Sequence, residues 1–243
     1  MSGKQRAQRC FLLLWVVALV STDVWGRTES NEPPIDVHVR VQLPKLGAHG
    51  HAPPVVVWLK PLGDTPSKPF TPDARYTLAQ KNRTFIPHLL VVPVGAQVFF
   101  PNLDPFFHNV FSLFDGKRFD LGLYEAGVTK EVTFSREGVS YIFCNIHPEM
   151  SAVVLVLSTP LYTTHGANGV YAIPNVPAGE YEMHVWIEGL TQPALERMKR
   201  RVQIAPGESD LGVVDASTAP REPAEHLNKF GQPYDRDTKS TTY

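Results

Sequence analysis

The chain has 243 residues, enough for one large or two small domains with a real hydrophobic core. Its 23 Lys and Arg against 24 Asp and Glu exclude the basic excess that a nucleic-acid surface needs. Runs of β-branched and aromatic residues lie between 22 Pro and 17 Gly, which predicts an all-β protein rich in turns.

The first segment reads as an export signal. Lys4, Arg6 and Arg9 precede an apolar run, Phe11–Val20, and Val24 and Gly26 are small enough to flank a cleavage point. The run is too short to cross about 30 Å of hydrocarbon as a helix. Residues 1–26 are therefore expected to be cleaved on export to the periplasm, with no membrane span left behind. The remainder has 20 basic and 23 acidic residues, a net charge of −3. Cys10 leaves with the signal, so Cys144 is the sole thiol of the exported chain. A lone thiol in an oxidising compartment is buried and inert, paired with another molecule, or bound to a metal.

Ile35, Val37, Val39, Val41 and Leu43 alternate with polar residues, as in a half-buried strand, and Pro53–Lys60 predicts a second strand. After a turn-rich stretch, eight short candidates follow near Tyr76–Ala79, Leu89–Val92, Gln97–Phe100, Val110–Leu113, Phe119–Leu123, Glu131–Phe134, Ser140–Cys144 and Ala152–Leu157. Strands so closely spaced predict a sandwich or barrel. Beyond Asn168-Gly169, a hairpin signal, four more are expected at Val170–Ile173, Tyr181–Ile187, Arg201–Ile204 and Leu211–Val214. No segment carries a long helical period. Residues 216–243 are polar with few apolar residues and are expected to form a flexible tail.

Two segments carry the chemistry: Phe100–Ser112 (FPNLDPFFHNVFS) and Tyr141–Met150 (YIFCNIHPEM). The second holds Cys-x2-His-x2-Met in a loop short enough to turn three side chains to one point. Taken singly, each residue has an ordinary reading: His108 a polar loop residue, Cys144 a small core hydrophobe, His147 a turn cap, Met150 a core filler. Taken together they supply a thiolate, two imidazoles and a thioether. That is the ligand set of a mononuclear blue-copper site. Zinc accepts Cys and His but has little use for the thioether. A two-copper enzyme would need several more histidines, and only His49-x-His51 offers a pair. A binuclear purple site would need a second cysteine.

These residues resemble the cupredoxins. Cys144, His147, Pro148 and Met150 match the short Cys-x2-His-Pro-x-Met loop of the amicyanin type. Phe85-x-Pro87, Val94-Gly95, Asn102 and His108-Asn109-Val110 extend the likeness over about Arg75–Leu157. The resemblance implies a Greek-key sandwich with copper near one end. It also implies that Asn109 braces the ligand loops, although an ordinary turn residue fits that position equally. Phe106, Phe107, Ile146 and Pro148 flank the histidines, either as an apolar apron where a redox partner docks near His147 or as core. A second segment, Asn168–Trp186, resembles the carboxypeptidase regulatory-like, or transthyretin-like, β-sandwich, and Val55-x-x-Trp58-x-Lys60-Pro61 looks like an early strand of it. Chains called methylamine utilization proteins have a similar architecture.

The expected organisation is a cupredoxin domain at 72–158 inserted in a second sandwich built from 33–62 together with 160–215. The alternative is two consecutive domains, and contacts of Trp58 with Tyr181–Trp186 distinguish the two. The expected function is single-electron transfer between periplasmic redox partners, without enzymatic activity. The alternatives are copper binding or delivery without redox turnover, and a structural or carbohydrate-recognition sandwich that has lost its metal.

Overall fold

A computed structural model of the chain describes residues 33–43, 52–113, 116–222 and 226–234. The expected signal segment and the His49-x-His51 pair lie outside these residues. Strands β1 (Ile35–Gln42) and β2 (Val55–Pro61) come first. The middle of the chain forms β3 (Tyr76–Thr77), β4 (Ala79–Lys81), β5 (Thr84–Ile86), β6 (Leu89–Pro93), β7 (Ala96–Pro101), β8 (His108–Ser112), β9 (Phe119–Tyr124), β10 (Thr129–Phe134), β11 (Gly138–Phe143) and β12 (Ser151–Leu157). Then follow β13 (Tyr162–Thr163), β14 (Gly166–Ala167), β15 (Val170–Val176), β16 (Gly179–Ile187), helix α1 (Gln192–Met198), β17 (Arg200–Ile204) and β18 (Asp210–Asp215). The protein is all-β but for this one short helix among the described residues. At seven residues, α1 is too short to imprint a helical period on the sequence.

The middle strands form a sandwich. One sheet has the order β10-β7-β3 and the other β6-β12-β11-β8-β9. Both contribute to one core: Val98, Phe100, Val132 and Phe134 from the first, Val110, Ile142, Ala152, Val154 and Val156 from the second. The β4–β5 hairpin lies beside it and turns at Asn82 and Arg83, with left-handed φ of 56° and 54°. Strands of three residues are too short for alternation to reveal them, which is why this hairpin is not separate in the sequence reading.

Strands from before and after the middle segment share the remaining sheets. One has the order β14-β15-β1-β18 and the other β13-β2-β16-β17. In the first, Val37, Val39 and Val41 alternate inward as their spacing predicts. In the second, Trp58 pairs with His184 and Val56 with Trp186 in an antiparallel ladder.

β12 explains how the two sandwiches meet. Its sequence, SAVVLVL, is an unbroken apolar run, as befits a strand buried on both faces. Ala152, Val154 and Val156 fill the middle sandwich, while Val153, Leu155 and Leu157 join the core of the other. Leu89, Val91, Val139 and Tyr141 pack on that same outer side. At about 25 cal/mol per Å² of apolar surface, such a continuous seam adds several kcal/mol, an upper estimate.

Within the stretch expected to be a flexible tail, residues 216–222 and 226–234 are bonded to the rest of the chain. Ala216 donates its N–H to the Gln42 carbonyl (2.8 Å), Thr191 donates to Pro220 (3.0 Å), and Glu222 donates to Gly189 (2.9 Å). Residues 226–234 then lie against the loop carrying Cys144. Backbone and polar side-chain bonds hold this stretch, and a composition poor in apolar residues does not announce them.

Candidate metal centre

His108 opens β8 at the end of a tightly organised turn. Asn102, fully buried, donates its side-chain amide to the carbonyls of Phe106 (2.8 Å) and Tyr124 (3.2 Å) and accepts the Asp104 N–H (3.0 Å). The turn thereby brings Asp104 under the imidazole, with Asp104 Oδ2 2.8 Å from His108 Nε2. The same carboxylate accepts the backbone N–H groups of Asn82 (2.6 Å) and Arg83 (2.9 Å). Asp104 thus stabilises the left-handed hairpin turn and fixes the imidazole at once. With Nε2 donating to Asp104, the lone pair of His108 lies on Nδ1.

Cys144 follows β11, and its loop closes tightly. Met150 donates its N–H to the His147 carbonyl (3.0 Å), and Cys144 donates its N–H to the Met150 carbonyl (3.3 Å). Cys144 Sγ lies 3.8 Å from His108 Nδ1 and 3.5 Å from His147 Nδ1. The three donor atoms all fall within 4.8 Å of one another. Bonds of about 2.0–2.1 Å to nitrogen and 2.3 Å to sulfur, at angles of about 110–120°, put the two atoms about 3.5–3.8 Å apart, so both sulfur–nitrogen distances fit one shared metal ion. Met150 is buried in the same core cluster as Cys144, and its thioether is a soft donor type like the thiol.

The electrostatics prepare the two imidazoles and leave the thiol protonated until a metal takes the proton's place. Burial pushes both imidazoles below their ordinary value, and for His108 Asp104 opposes that shift. Both rings are therefore neutral near pH 7 and able to offer Nδ1. Burial pushes the Cys144 thiol up, while the backbone N–H groups of Asn109, Ile146 and His147 favour the thiolate. Burial also pushes the Asp104 carboxyl up, but hydrogen bonds from Arg83, His108 and Asn82 outweigh it and hold it below its ordinary value.

Asn109 reaches both ways: its backbone N–H bonds the Cys144 sulfur, and its side-chain amide donates to Asp120 Oδ1 (2.7 Å) on β9. Phe106 is half-buried, its ring centroid 5.2 Å from that of His108, 5.8 Å from that of His147 and 5.3 Å from the Arg83 guanidinium carbon. Phe107, Ile146 and Pro148 are exposed, as is Leu103. His88, which has no metal role in the sequence reading, pairs with Glu188 at 2.7 Å. Asp104 escaped the sequence reading, although an Asp four residues before the histidine was its available signal. Lys229 and Tyr234 gave no local signal at all.

Solved structures similar to this chain are copper proteins, most of them cupredoxins. A purple cupredoxin from Nitrosopumilus maritimus is 26% identical, with 34% of this chain and 99% of that one covered, at a TM-score of 0.31. Amicyanin from Paracoccus versutus is 21% identical, covering 37% and 92%, at 0.32. A copper-containing nitrite reductase from Thermus scotoductus is 23% identical over 40% of this chain at 0.33, and only 27% of that enzyme is matched. No family model and no curated protein matches the chain. The donor geometry, and not these likenesses, carries the functional reading.

Proposed function

We propose that this chain is an exported protein that holds one mononuclear copper ion and carries single electrons between periplasmic redox partners. The observation that carries the proposal is the convergence of His108 Nδ1, Cys144 Sγ and His147 Nδ1 within 4.8 Å. Those three would hold the metal, with Met150 as a further, weaker ligand. Bound copper in such a donor set supplies one-electron chemistry.

The chain's own residues do the rest. Asp104 fixes the tautomer and tilt of His108. The N–H groups of Asn109, Ile146 and His147 take up charge on the sulfur. Packing keeps His108 and Cys144 dry, while His147 reaches partway to solvent. Leu103 (57% exposed), Phe107 (54%) and Ile146 (42%), on the loops that carry His108 and His147, offer apolar side chains to a transient redox partner. The middle sandwich is read as a cupredoxin domain inserted in a carboxypeptidase regulatory-like sandwich. No enzymatic step is assigned to the chain.

The test is the absorption spectrum of the oxidised, copper-loaded protein. An intense visible thiolate-to-copper band that vanishes in Cys144→Ser supports the proposal. Absence of that band, together with tight zinc uptake, removes it. A normal band with no electron exchange with any small redox protein would instead favour copper delivery.

A further inference from the structure

The segment 226–234 lies against the loop carrying Cys144, His147 and Met150. It is organised around Asn228. The Asn228 side chain accepts the N–H groups of Phe230 (2.9 Å) and Gln232 (3.0 Å), and its own N–H donates to the Gln232 carbonyl (2.8 Å). Three contacts then reach the loop at three separate points. The Tyr234 hydroxyl donates to the Cys144 carbonyl (2.8 Å). The Lys229 N–H donates to Asn145 Oδ1 (3.0 Å). His226 Nε2 lies 2.8 Å from the Pro148 carbonyl, and its ring stacks on Phe143 at 4.0 Å.

Lys229 also bridges the two halves of the site. Its ammonium pairs with Asp120 Oδ2 at 2.8 Å, and Asp120 Oδ1 accepts the Asn109 amide at 2.7 Å. A continuous chain of bonds therefore runs from the residue beside His108, through Asp120 and Lys229, to the residue beside Cys144. The resemblance implies that Asn109 braces the loops, with an ordinary turn residue as the equal alternative; here a residue far along the chain joins it.

We propose that residues 226–234 are a strap that positions the ligand-bearing loop, with Tyr234 and Lys229 as its positioning residues, and thereby couples the second sandwich to the metal centre. The contacts are to backbone carbonyls and to an asparagine side chain of the loop. They restrain its path without competing for the donor atoms. The strap leaves Ile146 and the exposed edge of His147 uncovered, so it holds the loop without closing the docking surface. Its role in tuning the metal rests on the copper reading above; its role in holding the loop does not.

The experiment uses the full exported chain in metal-free and copper-loaded forms. Cys144 is fully buried, so a maleimide reaches it only when the loop opens. In the metal-free protein, Tyr234→Phe and Lys229→Met should each raise the rate of Cys144 modification about fivefold, the factor that losing one ordinary hydrogen bond puts on a local opening equilibrium. Phe230→Ala, on an exposed ring of the strap, should leave it unchanged. Thermal unfolding of each variant separates a local from a global effect. In the copper-loaded protein, Tyr234→Phe should shift the reduction potential relative to Phe230→Ala. Thiol rates within twofold of wild type in both positioning variants overturn the strap, even where copper binds normally. Raised thiol rates in a protein that takes no copper leave the strap standing and remove the copper reading.

Discussion

Asp104 is the residue on which the geometry of the site turns. A buried carboxylate with no partner would be costly, and this one has three: two backbone N–H groups of the hairpin and one imidazole. It therefore couples a strained turn to a donor ring. Asp104→Asn keeps the shape but leaves one acceptor oxygen, so its amide nitrogen meets either the Asn82 N–H or the Arg83 N–H and the imidazole as a second donor. Metal affinity should fall about 10- to 100-fold, the usual cost of losing such a supporting partner, as read by competition with a chelator. A change of less than about twofold would show that His108 is oriented by packing alone. Phe106 is a second lesson at this scale. An aromatic residue beside a histidine is expected either on the surface or in the core, and here it is wedged between two imidazoles and a guanidinium.

Among the elements, β12 has the widest reach. Period-two alternation assigns its residues to two faces, but an unbroken apolar run says that both faces are buried. The structure supplies the two partners, one sandwich on each side. Leu155→Ala removes a side chain from the seam between them and should cost about 2–5 kcal/mol in denaturant unfolding. Because the seam is shared, both sandwiches should unfold in one transition; two separated transitions would show that each stands alone. The loop after β11 shows the opposite kind of control. Its own backbone bonds between Cys144, His147 and Met150 close it locally, so its ligand spacing is legible in the sequence even though distant residues also hold it.

At the scale of the whole molecule, the described strands group as a single unit. An ion pair reinforces the seam: His88, on the middle sandwich, meets Glu188 beyond β16 at 2.7 Å. Glu188's hydrogen bond raises the His88 pKa above its ordinary value, against the opposing effect of burial. A raised folded-state pKa contributes stability that is fully present below the unfolded value, about 6.5, and is lost as pH rises through the raised one. His88→Gln should therefore be destabilised relative to wild type at about pH 6, and the gap should close in more alkaline buffer. The effect should be small, because the His88 side chain is 43% exposed and solvent screens the pair. Unfolding curves of the two proteins at several pH values measure it, and a gap that widens with pH would contradict the sign.

The sequence by itself determined what depends on neighbours in the chain. Alternation located β1, apolar runs located β2 and β12, Asn168-Gly169 marked a hairpin turn, and Cys144, His147 and Met150 stood in a ligand spacing. These signals are legible because a strand or a short loop is decided within a few residues. Only the tertiary structure decided what depends on distant segments meeting: that His108 Nδ1 faces the sulfur, that Asp104 lies behind the ring, that β2 pairs with β16, and that a polar stretch near the end of the chain returns to bind the loop. Such contacts are specified by the packing of whole sheets, and hydrogen bonds to backbone carbonyls can be made by many residue types. They leave little trace in any local pattern.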